Sequence, residues 1–242
     1  MKLKLNTSIQ KTLSDLHTPV ELYLKIRDRY PGAILLESSD YKSKENSFSY
    51  ICFNAIGSLV VNKEYLTVQL ASSRQKNAEL SCTTLAEEID AFRQSFDVTP
   101  DDYEFQTAGL FGYMQYDAIP HFQAIEFKET ESAIPSVHYQ FFQNLIVFNH
   151  FNNELYLIEH LHDKASSELT NVKTLIQQRA LSTFSFSQKG TESSNYTDEE
   201  FLNTIQSAQK HCYLGDVFQL VVSRKFQQKF QGKWASILRS CV

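Results

Sequence analysis

Between Ala33 and Leu70 four short runs of β-branched and aromatic residues follow one another with no helical pattern between them: Ala33 to Glu37, Ser47 to Asn54, Ser58 to Val61, and Tyr65 to Leu70. Asn62 and Lys63, just ahead of Glu64, supply a hairpin turn between the last two. Two more strand-like runs, Ala108 to Tyr116 and His138 to Phe148, come later, and Asn152 and Asn153 lead the second into Glu154 to His160. Helical patterns interrupt these runs only occasionally. Thr18, Pro19 and Glu21 form a helix start with a capping-box spacing, followed by Leu22 and Ile26 on one face. Leu85, Ile89 and Phe92 mark a helix within Thr84 to Phe96, and Asp163 to Ala180 reads as another amphipathic helix. Strands and helices therefore mix without strict alternation. The pattern predicts an α+β fold, with a mixed, mostly antiparallel sheet packed by helices, rather than a doubly wound parallel sheet.

The stretch from Ser182 to Asn195 is Ser-rich and polar, so it is expected to be a linker between residues 1–181 and 196–242. Beyond it Thr197 and Glu200 repeat the capping-box spacing. Phe201, Ile205, Ala208 and Cys212 then line one stripe of a helix that ends near Gly215.

Composition narrows the function classes. Of 242 residues 42% are hydrophobic, which is enough for a sizeable core. A net charge of −5 with scattered basic residues argues against a nucleic-acid partner. No apolar run approaches the roughly 20 residues of a membrane span, and no secretory signal opens the chain, so cytoplasmic localisation is expected. Cys52, Cys82, Cys212 and Cys241 are far apart, as befits reduced thiols. His160 and His162 in EHLHD are expected to be a solvated pair on a strand face rather than a metal site. Gly109 and Gly112 in GLFGYM point to close backbone packing rather than a phosphate loop.

The run GDVFQLVVSRKF, residues 215–226, sets an uncharged amide among apolar neighbours. If 217–224 is extended, Val217, Gln219, Val221 and Ser223 share one face, and Phe218, Leu220, Val222 and Arg224 the other. A buried amide without partners costs about 1–3 kcal/mol, so Gln219 must be bonded, solvated in a cleft, or at a sheet edge.

This run resembles the opening strand of the chorismate-binding domain in anthranilate synthase component I, and YTDEEFLNTIQSAQKHCYLGD is similar to the helix before it. TPVELYLKIRDRYPGAILLESSD and GLFGYMQYD resemble N-terminal blocks of the same family, in the same order. The resemblance implies a lyase of tryptophan biosynthesis that converts chorismate and ammonia to anthranilate and pyruvate, with ammonia drawn from glutamine. Relatives that add water to chorismate carry a lysine where Gln219 stands. Water needs a base, whereas ammonia brings its own lone pair and needs only to be positioned, so Gln219 is the candidate catalytic residue.

The resemblance also implies feedback inhibition by L-tryptophan at the LLES tetrapeptide. There Leu36 would form an apolar wall, Glu37 would meet the ligand's ammonium, Ser38 would offer a short hydroxyl, and Ser49 lies in a second segment near that pocket. A basic residue stands at the Phe48 position in some relatives. The family's partner is a glutamine amidotransferase subunit, component II, and its cofactor is Mg2+ held by glutamates. Those glutamates and the other catalytic motifs do not occur here, and the chain stops at WASILRSCV. A truncated N-terminal fragment is therefore expected, catalytically incompetent alone and without bound Mg2+. Two alternatives stay open. One is aminodeoxychorismate synthase component I, whose strand typically has Asn and Gln where this chain has Val222, Ser223 and Arg224; the other is a stand-alone amino-acid-binding module.

Overall fold

The computed structural model describes residues 2–37, 47–71, 75–80, 84–123, 125, 134–163, 165–178 and 186–232. Cys82 and Cys241 lie outside the described residues. The chain divides into two compact units, Met1–Leu181 and Ser182–Val242.

In the first unit the elements run β1 (Leu3–Leu13), α1 (Pro19–Arg29), β2 (Ile34–Glu37), β3 (Phe48–Asn62), β4 (Tyr65–Leu70), β5 (Lys76–Glu79), α2 (Leu85–Arg93), β6 (Phe96–Val98), β7 (Phe111–Met114), β8 (Val137–Asn149), β9 (Glu154–Leu161) and α3 (Leu169–Gln177). The strands form one nine-stranded sheet in the order β5-β4-β3-β8-β9-β1-β6, with β2 added to β3 and β7 to β8. Among the described residues only the β1–β6 pair is parallel. The α+β expectation therefore holds, with a sheet that is mostly antiparallel.

Helix α1 begins as its sequence dictates, with Thr18 Oγ1 accepting from the Glu21 N–H at 3.2 Å and Pro19 in the first turn. The Glu21 carboxylate does not return to the Thr18 backbone. It is held instead by Lys25 at 2.6 Å and His17 at 3.4 Å. Leu22, Tyr23 and Ile26 bury against Ile51, Phe53, Ile146, Phe148, Leu155 and Leu157 of the sheet and Val172 and Ile176 of α3.

The long strand β3 merges two of the predicted runs. Asn54 takes a left-handed φ of 57°, and the pairing with β8 shifts between Ala55 and Gly57. This bulge inserts a residue and breaks the simple alternation of sides. Ile51 and Phe53 before it join the core under α1 and α3, whereas Leu59 and Val61 after it join a second core with Leu85 and Phe92 of α2. Gly57 is required there, because an added Cβ would sit 2.6 Å from the Phe96 ring. Gly112 shows the close backbone approach expected of GLFGYM: its added Cβ would lie 1.9 Å from the His138 carbonyl oxygen on β8.

Several expectations need correction. β1, β5 and β6 have weak apolar patterns and carry no strand expectation. In β1 only Leu5 is buried, so pairing with β9 and β6, rather than side-chain alternation, defines it. The run from Ala108 to Tyr116 shortens to β7 and gives way to a 3-10 turn over Tyr116–His121, which contains Pro120. The helix expected from Asp163 starts only at Leu169. Ser167 and Glu168 are taken up by hydrogen bonds to the Glu159 carboxylate, which sets the helix start. Cys52 is fully buried, and burial pushes its thiol far above the usual range, which makes it unreactive; Cys212 is exposed.

His160 is not a solvated partner of His162 but is fully buried. Its Nε2 lies 2.9 Å from the Thr107 carbonyl, to which it donates, and its Nδ1 lies 2.9 Å from Thr7 Oγ1, from which it accepts. Burial lowers its pKa, outweighing the Thr107 carbonyl and the nearby carboxylates of Asp101 and Glu159, which pull upward. The unfolded chain therefore binds a proton that the folded chain resists. His160 contributes stability that is complete above the unfolded value of about 6.5 and is lost as pH falls below it. Urea denaturation should show a midpoint that drops between pH 7.5 and 5.5, and a His160→Gln variant should flatten that slope.

The second unit contains β10 (Phe186–Ser194), α4 (Asp198–Leu214) and β11 (Phe226–Gly232). The polar stretch expected to be a linker is instead mostly strand: β10 pairs antiparallel with β11. A ladder is made by backbone groups, so polar side chains exposed on both faces do not forbid it. Helix α4 carries the full capping box, with Thr197 Oγ1 accepting from the Glu200 N–H and Glu200 accepting from the Thr197 N–H at 2.8 Å, and it ends on Gly215 in the left-handed region. None of the described residues in this unit is buried.

Candidate functional site

Of the residues that the resemblance implies for amino-acid recognition, Leu36, Glu37 and Ser49 lie where the end of β2 pairs with β3. That strand places Leu36 opposite Tyr50 and Glu37 opposite Ser49 on β3. Neighbouring strand positions point to opposite faces, so Leu36 and Tyr50 share one face and Glu37 and Ser49 the other. On the first, Tyr50 packs 5.7 Å from Phe111 and its hydroxyl accepts from the Gln106 N–H at 3.1 Å. On the second, Ser49 is flanked by Phe148 of β8. The structure thus brings Glu37 and Ser49 together and directs Leu36 away from them. Ser38 lies outside the described residues.

Ser49 is only 1% exposed. Its Oγ lies 2.7 Å from Nε2 of His150, an exposed residue in the β8–β9 turn. The imidazole stacks on Phe148 with ring centroids 6.2 Å apart and an interplanar angle of 13°. The His150 backbone N–H also donates to the Ser47 carbonyl at 3.1 Å. Ring and backbone are therefore both fixed. His150 carries no expectation from sequence, since it stands at a hairpin turn where exposed polar residues are ordinary.

A second polar constellation lies in the same unit. Glu159 is 1% exposed, and its carboxylate accepts from Asn144 Nδ2 at 3.1 Å, the Glu168 N–H at 2.7 Å and Ser167 Oγ at 2.7 Å. Asn144 Oδ1 in turn accepts from Asn54 Nδ2 at 2.9 Å, which ties the bulge of β3 to the start of α3. Glu168 accepts from Tyr30 Oη at 3.0 Å. Burial and this carboxylate together push the Tyr30 hydroxyl up to about 12, so it stays a donor throughout the physiological range. An open cleft of about 390 Å3 lies over this network, lined by Asn54, Gln143, Ser166 and Glu168 among others. Every oxygen of Glu159 is engaged with protein donors, so the network works as a clamp.

In the second unit residues 217–225 form no strand, contrary to expectation. β11 begins only at Phe226, because residues 217–224 have no pairing partner among the described residues and a strand needs one. Arg224 pins the segment's end by donating to Ser194 Oγ at 2.8 Å, Asp198 Oδ1 at 2.6 Å and the Tyr196 carbonyl at 2.8 Å. Gln219 is exposed, as are Phe218, Leu220 and Val221. Its amide is therefore solvated and needs no protein partner.

Among the described residues no group of three or more His, Cys, Asp or Glu could hold a metal ion. The described residues thus offer no ligand set for the Mg2+ that the resemblance implies. No described helix is long and apolar enough to cross a membrane.

The profile of the chorismate binding enzyme family matches residues 33–242. The chain is 24% identical over 257 residues to anthranilate synthase component 1 of Geobacillus stearothermophilus. It is 26% identical over 248 residues to the protein of that name from Neisseria meningitidis serogroup C. Each alignment covers 96% of this chain and 50% of the relative. The crystal structure of anthranilate synthase component I from Streptococcus pneumoniae TIGR4 superposes with a TM-score of 0.54 at 18% identity, over 96% of this chain and 52% of that one. The chain spans about half the length of the curated relatives it matches, and the likeness of fold runs through nearly all of it. Since the family profile covers all but the first 32 residues, this chain belongs to the chorismate binding enzyme family.

Proposed function

We propose that this chain is the N-terminal portion of an anthranilate synthase component I. In that reading the complete enzyme converts chorismate and ammonia to anthranilate, pyruvate and water, takes ammonia from a glutamine amidotransferase partner, and is inhibited by L-tryptophan. The observation that carries it is the family match from residue 33 to 242, together with relatives of one name aligned over 96% of the chain. The amide at Gln219 supports ammonia over water as nucleophile. An amide offers both a donor and an acceptor and can orient ammonia, but it cannot serve as the base that water requires. Its exposure leaves it accessible to a substrate.

The 242-residue chain alone is expected to show no anthranilate fluorescence with chorismate and ammonium. When it is joined to the second half that its relatives carry, turnover should appear. In that joined enzyme Gln219→Ala should lower the ammonia-dependent rate by about 100-fold, the scale on which misplacing a reactant acts. An unchanged rate in Gln219→Ala would refute the assigned role.

A further inference from the structure

We propose that the open cleft between the bulge of β3 and the start of α3 binds a small organic cation through its primary ammonium group. None of Leu36, Glu37 or Ser49 lines this cleft.

Each side-chain amide at the cleft is turned by a group that can only accept. The buried Glu159 carboxylate accepts from Asn144 Nδ2 at 3.1 Å, so Asn144 presents its Oδ1 to Asn54. That oxygen requires a donor, and Asn54 Nδ2 supplies it at 2.9 Å. The Oδ1 of Asn54 is then left without a hydrogen bond among the described residues. Gln143 follows the same rule. Its Nε2 donates to the Ser166 carbonyl at 3.3 Å, which leaves Oε1 without a partner among the described residues, although Gln143 is only 8% exposed. At Glu168 both bonded donors, Tyr30 Oη at 3.0 Å and Asn171 Nδ2 at 2.8 Å, meet Oε2, so Oε1 is the oxygen left over.

Three acceptor oxygens, from β3, β8 and the start of α3, thus meet no donor among the described residues, and all three residues line one cleft of about 390 Å3. The other described lining residues are Ser166, two alanines and an isoleucine, so no described lining side chain carries a positive charge. A ligand that donates to these oxygens supplies the hydrogen bonds that the fold leaves unmade. A primary ammonium brings three N–H donors and a positive charge, which suits three acceptors of which one belongs to a carboxylate. A carboxylate on the ligand would meet Glu168 with like charge, so a plain alkylammonium fits better than a zwitterion. The volume is many times the roughly 30 Å3 that one water fills, which leaves room for a carbon chain behind the charged head.

Titration of the 242-residue chain with n-butylammonium chloride, followed by NMR, tests this beside potassium chloride and tetramethylammonium chloride, neither of which brings an N–H donor. Butylammonium should saturably shift the side-chain amide signals of Asn54 and Gln143 and the backbone signals of Ser166 and Glu168, and the two controls should leave them in place. In Glu168→Gln the carbonyl oxygen must stay with Tyr30 and Asn171, so the new NH2 group replaces Oε1 and turns a donor toward the cation. Affinity should fall by about 10-fold to 100-fold, the worth of a hydrogen bond to a charged group. Gln143→Met keeps the length of the side chain, removes one acceptor and should weaken binding by about 10-fold. Either variant decides the question should the other fail to fold. Equal shifts from all three salts, no saturable shift with butylammonium, or wild-type affinity in a folded variant would overturn the assignment.

Discussion

Replacing Glu159 by leucine is expected to destabilise the first unit by about 3–5 kcal/mol, which is large against the total stability of a domain. The substitution keeps the volume roughly constant but leaves Asn144 Nδ2, Ser167 Oγ and the Glu168 N–H without their acceptor. Asn144 is buried, so its orphaned donor costs about 1–3 kcal/mol, and the half-buried Glu168 N–H and the exposed Ser167 hydroxyl add less. Glu159→Gln keeps one oxygen and should lose less, about 1–2 kcal/mol. Urea denaturation of the two variants beside wild type measures the difference. A leucine variant within 1 kcal/mol of wild type, an order-of-magnitude threshold for one such bond, would show that the clamp contributes nothing.

Gly112→Ala should be similarly costly for a different reason. The new methyl would sit 1.9 Å from the His138 carbonyl oxygen, and that oxygen belongs to backbone that cannot turn aside. β7 must then move away from β8, breaking the ladder from Phe111↔Gln140 to Met114↔Val137. We expect a loss of about 3 kcal/mol or more, with hydrogen exchange at Phe111 to Met114 accelerating ahead of the rest of the sheet. Slow exchange preserved in this strand would show that the backbone accommodates the methyl.

Much of the fold was legible because its cues are local. Thr18 and Pro19, Thr197 and Glu200, and Gly215 mark helix ends by hydrogen bonds and dihedral preferences that involve only neighbours, and each sits where the sequence puts it. Lys63 and Asn153 turn their hairpins with positive φ for the same reason. Elements without local cues depend on distant partners. β1 takes its definition from β9, more than 140 residues away. The segment around Gln219 reads as a strand because its residues are apolar, but strand formation requires a neighbouring backbone, and composition does not supply one.

The site followed the same division. Glu37 and Ser49 fall side by side because strand register follows from the apolar runs, whereas the Ser49 to His150 bond joins positions 101 residues apart. A polar residue among apolar neighbours occurs elsewhere in the chain as well. Asn144 in FFQNLIVF and Glu159 in LYLIEHL are polar residues inside apolar strands, and both are buried and bonded to each other. Gln219, whose neighbours look equally apolar, is exposed. Apolar surroundings in sequence thus do not separate buried polar residues from solvated ones.

The bulge at Asn54 has a consequence for how the sheet assembles. A strand of 15 residues with uniform alternation could slide by two positions along its neighbour and still keep its oily residues on the correct sides. Because the offset at Ala55 makes the two ends of β3 serve different cores, any such sliding would drive Leu59 and Val61 or Ile51 and Phe53 into positions that do not accept them. The irregularity thus acts as an alignment key, excluding misregistered sheets that a more regular sequence would tolerate.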